Sequence, residues 1–401
     1  MNYFKKKYLT EIINFGKMPL ANNFLKKFNK NIYTYNLKLG YNKNFKLAQL
    51  YNFPKPKKMF NNNYAFITST SNYMKRHFQK LSLKLKSKNK EVSILEIGCN
   101  DGVLLENFKN NKHLGVEPSK NVYELAKRKG LNVDNAFFNK KYINKIKKKY
   151  ENFDLVFGSN VICHIPDQKE LYNCVNDILS NSGVFIFEEP YLLEMIKKTS
   201  YDQLYDEHIY MFSLTSVNLI ARKFNFYLFD AEKTNTHGGS MRYYLSKEKR
   251  KVSKRLSNYL KIEKKYQVDS INSLKKFAKN CMKNRKNFYE KIINIKKEKK
   301  TIYGFGATSK STTILNYCNL NSKHIEMIFD NSKTKINKFT PLSNIPIVNS
   351  NKFFKTKIDY CVLFAWNHYK EIFSKIKKSK DIKWLVHIEK KHFGNYRKYF
   401  I

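Results

Sequence analysis

The chain has 401 residues, enough for two or three domains and too many for a small module that needs staples. Hydrophobic residues at 42% and aromatics at 15% exclude wholesale disorder, and Lys, Asn or Glu breaks every apolar run before it reaches bilayer length. Lys and Arg number 77 against 32 Asp and Glu, a net charge of +45 that would point to nucleic acid, but the lysines run through the whole chain beside abundant Asn, Ile, Tyr and Phe. That is the drift of AT-rich codons, and a basic surface of this kind suits an anionic substrate such as a nucleotide diphosphate.

Residues 1–80 are irregular and aromatic, with turn signals at Gly16, Gly40 and Pro54-Lys55-Pro56 and an alternating run from Phe45 to Leu50. Their first twenty residues carry no small-residue cleavage site, so no signal peptide is expected. From about 91 to 245, short apolar runs alternate with helical segments. VSILEI, HLGVE, FDLVFGS and GVFIFEE read as buried strands of a parallel doubly wound α/β sheet. Residues 248–299 are Lys-rich with apolar residues at helical spacing, including Leu274, Phe277, Cys281, Phe288, Ile292 and Ile293, and predict helices that bridge two units. TIYGFGA, IEMIFD, IDYCVLFAW and WLVHIEK then read as strands of a second α/β unit. The six cysteines, from Cys99 to Cys361, form no close pair, which predicts no disulfide and a cytoplasmic location.

The sharpest motif is ILEIGCNDG, residues 94–102, which ends a predicted strand and is expected to open a helix through Val103, Leu104 and Leu105. Gly98 and Gly102 allow a tight turn and close approach of a ligand. Glu96, Asn100 and Asp101 put acceptors and negative charge there, which suits a cationic amino-acid cofactor better than a pyrophosphate. The next strand ends in Glu117, placed to accept both hydroxyls of a ribose. This ordered pair resembles the class I S-adenosylmethionine (SAM) methyltransferases, with Asn135, Ala136 and Phe137 falling near the adenine.

Three further clusters are dense in titratable groups. SNVICHIPD carries Asn160 and His164, YDQLYDEHIYMFS brings Tyr205, Glu207 and His208 within four residues, and THGGSMRYY places His237, Gly238, Gly239, Ser240 and Arg242 at the entry to a strand. A second glycine turn, TIYGFGATSKSTTILNYC, has Gly304 and Gly306 after a strand and Lys310 at a helix start, a plausible phosphate site. Asp330 is the acid at the end of the following strand, so a nicotinamide site is the lesser reading. Trp366, Asn367 and His368 follow a strand at its carboxyl end, where ligands of such sheets sit.

In this order, these motifs together with FDN and FAWNHYKEI resemble the C-methyltransferases that act on nucleotide-linked ketosugars in deoxysugar pathways, over nearly the whole chain. The resemblance implies a small zinc domain (1–80), a SAM-binding methyltransferase domain (81–247) and a C-terminal Rossmann-like nucleotide-sugar domain with leading helices (248–401). It implies C-methylation through an enolate, with His208 as the base, Glu207 as its orienting or sugar-binding partner, and Tyr205, His164 and Asn160 bonding to the ketone and hydroxyls. By the same resemblance Glu96, Gly98, Asn100, Asp101, Gly102, Glu117, Ala136 and Phe137 hold SAM. Tyr64, His237, Arg242, Gly304, Gly306, Lys310, Trp366 and Asn367 meet the substrate. The expected partner is a nucleoside diphosphate ketosugar rather than nucleic acid or membrane, and the protein is expected to be a monomer or homodimer. A sugar O-methyltransferase and a nucleic-acid-binding methyltransferase are the rival readings.

One departure stands out. Relatives carry two CxxC pairs for zinc in the N-terminal segment, but this chain has no cysteine before Cys99, and Asn42 and Phe45 fall where thiolates belong. A metal-free domain packed around Tyr33, Tyr35, Phe45 and Tyr51 is therefore expected.

Overall fold

The computed structural model describes residues 4–29, 31–86, 91–376 and 382–401. The strands in chain order are β1 (Leu9–Pro19), β2 (Thr34–Asn42) and β3 (Leu47–Leu50), then β4 (Ile94–Ile97), β5 (His113–Val116), β6 (Val133–Asp134), β7 (Phe153–Ser159), β8 (Leu179–Pro190), β9 (Tyr210–Met211), β10 (Tyr227–Thr234) and β11 (Ser240–Ser246). The last five are β12 (Ile302–Phe305), β13 (Ile328–Asp330), β14 (Ile347–Asn349), β15 (Tyr360–Leu363) and β16 (Lys383–Leu385). They form three sheets.

The first sheet runs β1-β2-β3-β9, all antiparallel. Its last strand comes from the middle of the chain, so the segment that follows Glu207 and His208 is stitched directly to the N-terminal unit. Where relatives are expected to hold zinc, Asn42 is fully buried. Its Nδ2 donates to Gln49 Oε1 at 3.2 Å, its Oδ1 accepts from Asn44 N at 3.1 Å, and Gln49 Nε2 donates to the Phe4 carbonyl at 3.0 Å. Phe45 stacks on Phe4 with ring centroids 4.8 Å apart. A neutral amide ladder and a ring pair cannot ligate zinc, so the residues present do not fit the metal. Tyr35 is buried here and Tyr51 donates to the Leu9 carbonyl, but Tyr33 is 44% exposed beneath the Lys58 ammonium and is no part of the core.

The second sheet has the order β10-β11-β8-β7-β4-β5-β6. The strands from β8 to β6 are parallel, but β11 runs antiparallel to both β8 and β10, so the sheet is mixed at one edge rather than parallel throughout. Gly238 and Gly239, at φ +91° and +128°, reverse the chain before β11 in a conformation other residues avoid. After β4 the expected helix does not form. Val103 and Leu104 lie in a turn that leads into one 3₁₀ stretch, Leu105–Phe108, because Asn107 Nδ2 takes the carbonyls of Val103 and Leu104 and competes with the helical ladder.

Helices Lys254–Tyr266 and Ile271–Lys297 then carry the chain to the third sheet, the longer one burying Leu274, Phe277, Cys281, Phe288 and Ile292. That sheet is all parallel, in the order β14-β13-β12-β15-β16. Helix Ser309–Tyr317 follows β12, capped reciprocally by Thr308 and Ser311. Among the described residues no helix is long and apolar enough to cross a membrane.

Candidate active site

A cavity of about 760 Å³ opens at the carboxyl ends of β4, β5 and β7 and is closed over by Asn22 and Tyr64 of the N-terminal unit and by Ser309, Lys310 and Asn367 of the C-terminal unit. This volume is at the generous end for a small-molecule site, as a cleft holding a cofactor and a second substrate requires.

One wall is built from the first glycine turn. Gly98 takes φ +65°, and a Cβ there would lie 2.6 Å from Val161 Cγ2. Asn100, also left-handed at φ +51°, sends its backbone N–H to Glu117 Oε2 at 3.0 Å, while Ser119 N donates to Glu117 Oε1 at 2.8 Å. Burial pushes the Glu117 carboxyl up to about 7, with these two N–H bonds pulling the other way. Each of its oxygens keeps acceptor capacity for one hydroxyl of a ribose. Glu96 Oε2 is buried without a partner, an acceptor that a polar cofactor would satisfy. Ala136 and Phe137 line the outer end. The wall therefore fits SAM. Asp101 and Gly102 lie behind it: Asp101 accepts from Ser69 N and pairs with Lys129 at 3.1 Å, and Gly102 packs under Leu131.

The opposite wall is the segment 201–208. A 3₁₀ turn, Tyr201–Gln203, exposes the Gln203 carbonyl, which accepts from His208 Nδ1 at 2.8 Å. A carbonyl can only accept, so Nδ1 carries the proton and Nε2 is the free base. The Tyr205 hydroxyl lies 2.7 Å from Nε2 and donates to it. Burial first, then His164 and His237, hold His208 well below the usual imidazole range, so the ring is neutral. His164 stacks beside it at 5.4 Å between centroids, pushed down to about 3 by burial, with its Nε2 unpartnered. Glu207 accepts from Tyr64 OH at 2.8 Å and Asn22 Nδ2 at 2.6 Å, and burial raises it to about 6 against those two bonds. Cys163, His164 and His208 bring potential ligand atoms within 4.8 Å of one another, but both His208 nitrogens are already engaged.

Asn160, left-handed at φ +52°, lines the cavity with its Oδ1 buried and unpartnered. His237 and Lys310 line it as well. Lys310 Nζ donates to the His237 carbonyl at 3.0 Å, and burial lowers the ammonium to about 8. Four expected substrate contacts are elsewhere. Arg242 does not line the cavity, and its Nη2 meets Glu188 Oε2 at 2.7 Å while its Nη1 meets Glu232 at 3.0 Å. Trp366 donates its indole N–H to the buried Asp202 at 2.6 Å and packs over Gly238, which makes it a strut between units rather than a cavity wall. Gly304 sits against the Phe364 ring and Gly306 against Ala365, outside the main cavity.

Two contributors were not anticipated. Glu189 Oε1 accepts three consecutive backbone N–H groups, from Val161, Ile162 and Cys163, and so holds the loop that carries Asn160 and His164. An acid pair at the carboxyl end of a buried strand, FEEP, was the signal available for it. Asn22, on the turn after β1, had no signal, because its partners are 185 and 287 residues away.

Residues 66–230 match the family model described as a methyltransferase domain, and residues 235–388 match the one described as the C-methyltransferase C-terminal domain. Together the two models span most of the chain. It is a SAM-dependent C-methyltransferase. It is similar to the C-methyltransferase NovU of Streptomyces niveus, 28% identical over 70% of this chain and 67% of that protein. Among solved structures it resembles a SAM-dependent methyltransferase of Thermotoga maritima, described as a possible histamine N-methyltransferase, at 20% identity and TM-score 0.35 over 44% of this chain and 92% of that one. It also resembles a SAM-dependent methyltransferase of Clostridium acetobutylicum, at 16% identity and TM-score 0.35 over 44% and 93%.

Proposed function

We propose that this C-methyltransferase acts on the carbon beside the ketone of a nucleotide-linked 4-ketosugar, through an enolate formed by the Tyr205–His208 pair. A carbon next to a carbonyl is not nucleophilic until its proton is removed, and the resulting oxyanion needs donors. The observation that carries the reading is His208 itself. Its Nδ1–H is held by the Gln203 carbonyl, its Nε2 is unprotonated, and the hydroxyl of Tyr205, which lines the cavity as well, donates to that nitrogen. In the step proposed, the carbon–hydrogen bond breaks and its electron pair moves onto the ketone oxygen. The Tyr205 oxygen takes the proton while passing its own to His208 Nε2. His164 and Asn160 line the same cavity, and their Nε2–H and Nδ2 groups are the donors this reading gives the oxyanion.

SAM, when bound, supplies an electrophilic methyl group. Glu117 orients its ribose, and Glu96 with the Gly98 turn receives its amino-acid end. Glu207, held between Tyr64 and Asn22, is an acceptor for sugar hydroxyls. Lys310 and Lys335 border the cavity beside the capped start of helix Ser309–Tyr317, a cationic rim suited to a diphosphate.

The test uses a panel of nucleotide ketosugars. In heavy water without SAM the enzyme is expected to wash deuterium into the carbon that is later methylated. Tyr205→Phe and His208→Ala are each expected to slow methylation by about 10³-fold. Methylation without exchange at carbon would favour a sugar O-methyltransferase, and wild-type rates in both variants would remove the assignment.

A further inference from the structure

Glu207 lies at a junction of all three units, and the side chain that joins them there is Asn22. Its carboxamide is read without ambiguity: a carboxylate can only accept, so Nδ2 faces Glu207 Oε1 at 2.6 Å, and Oδ1 is left to accept from Ser309 Oγ at 3.0 Å. The preceding residue is clamped on both sides as well. Ala21 N donates to Asp206 Oδ1 at 2.9 Å, and the Ala21 carbonyl accepts from Thr312 Oγ1 at 2.9 Å. The turn after β1 is thus pinned to the catalytic segment on one side and to helix Ser309–Tyr317 on the other.

We propose that Asn22 is a positioning residue for the C-methyltransferase reaction, holding Glu207 ionised and aimed into the cavity. This gives the N-terminal unit a role that needs no zinc: it delivers Asn22 and Tyr64 to Glu207, and an amide ladder suffices to shape it. The inference rests on the reading of Glu207 as an anion that faces the substrate. The titratable groups facing Glu207 are Tyr205 and Asp206 on its own segment, Tyr64 and Tyr35 from the N-terminal unit, and Cys163 and Glu117 from the middle unit. All are acids. Burial raises Glu207 and only the Asn22 and Tyr64 hydrogen bonds lower it. Removing one donor therefore moves the carboxyl towards its neutral form.

The experiment titrates full-length protein labelled with δ-¹³C glutamate, the Glu207 resonance being assigned by its loss in Glu207→Gln. Asn22→Asp keeps the shape but replaces the donor with an acceptor, and Asn22→Ala removes it. Both are expected to raise the Glu207 midpoint, by about one pH unit for Asn22→Asp. The acid limb of kcat should move with it, leaving this variant about fivefold slower at pH 6 and near the wild-type rate at pH 8. SAM affinity should stay unchanged, since Asn22 does not touch Glu117. A role confined to docking the units would cut the rate equally at both pH values, and that result, or a Glu207 midpoint unmoved in both variants, overturns the proposal. Should the wild-type enzyme turn over no nucleotide ketosugar, the substrate reading falls, and the titration, which needs no substrate, still decides Asn22.

Discussion

The chain contains two glycine turns that look alike and have become different things. Both follow the first strand of a parallel sheet, and in both an acid ends the next strand: Glu117 after the Gly98 turn and Asp330 after the Gly306 turn. At the first turn the acid holds two backbone N–H groups and keeps capacity for more, with Glu96 Oε2 left unpartnered beside it. At the second, Asp330 accepts from Ala307 N and Ser332 N, both at 2.7 Å, and Gly306 faces a smaller cavity of about 190 Å³, with Ala365 2.4 Å from where a Gly306 Cβ would stand. What separates the two turns is the unpartnered Glu96 oxygen beside the first and the size of the space each faces.

The comparison breaks most readily at the two acids. Glu117→Ala is expected to weaken SAM binding about 100-fold, roughly 3 kcal/mol for two hydroxyl bonds to a buried carboxylate, while Asp330→Ala should change it less than about twofold. Equal losses in a calorimetric titration would erase the distinction.

Gly306→Ala sharpens it from the other side. At φ +88° with Ala365 in the way, the new methyl should cost about 2 kcal/mol of stability, read as a lower melting temperature, with SAM affinity intact. A variant as stable as wild type would mean that Ala365 moves aside at no cost.

The smallest effect is in pH. Glu117 is raised to about 7, and it accepts ribose hydroxyls only when ionised, so affinity should be full above that value and fall below it. At pH 6 SAM should bind about tenfold more weakly than at pH 8, and Glu117→Gln should flatten that slope. A slope retained in the variant would assign the titration to another group.

Much of this was legible in the chain. Strand positions follow from runs such as FDLVFGS, and the Gly98 turn with Glu117 one strand later follows from local rules of turn and strand end. The crowding of Tyr205, Glu207 and His208 needs only their spacing. Arg242 shows where such reading stops. A basic residue beside a double-glycine turn suggests a substrate contact, but its guanidinium is taken by Glu188, directly opposite on the neighbouring strand. Trp366 likewise sits at a strand end, as a ligand contact would, but its N–H is satisfied by an aspartate 164 residues away.

Sequence alone therefore determined which segments are strands, which turn could admit a cofactor, and which short stretch gathers Tyr205, Glu207 and His208, because periodicity, glycine conformation and proximity along the chain act over a few residues. Tertiary structure alone decided that Asn22 reaches Glu207, that Glu189 holds the Asn160 loop, and that Gly306 faces the smaller cavity rather than the larger one. Hydrogen bonds and occupied space depend on what other segments bring to the same point, and no local pattern records who arrives there.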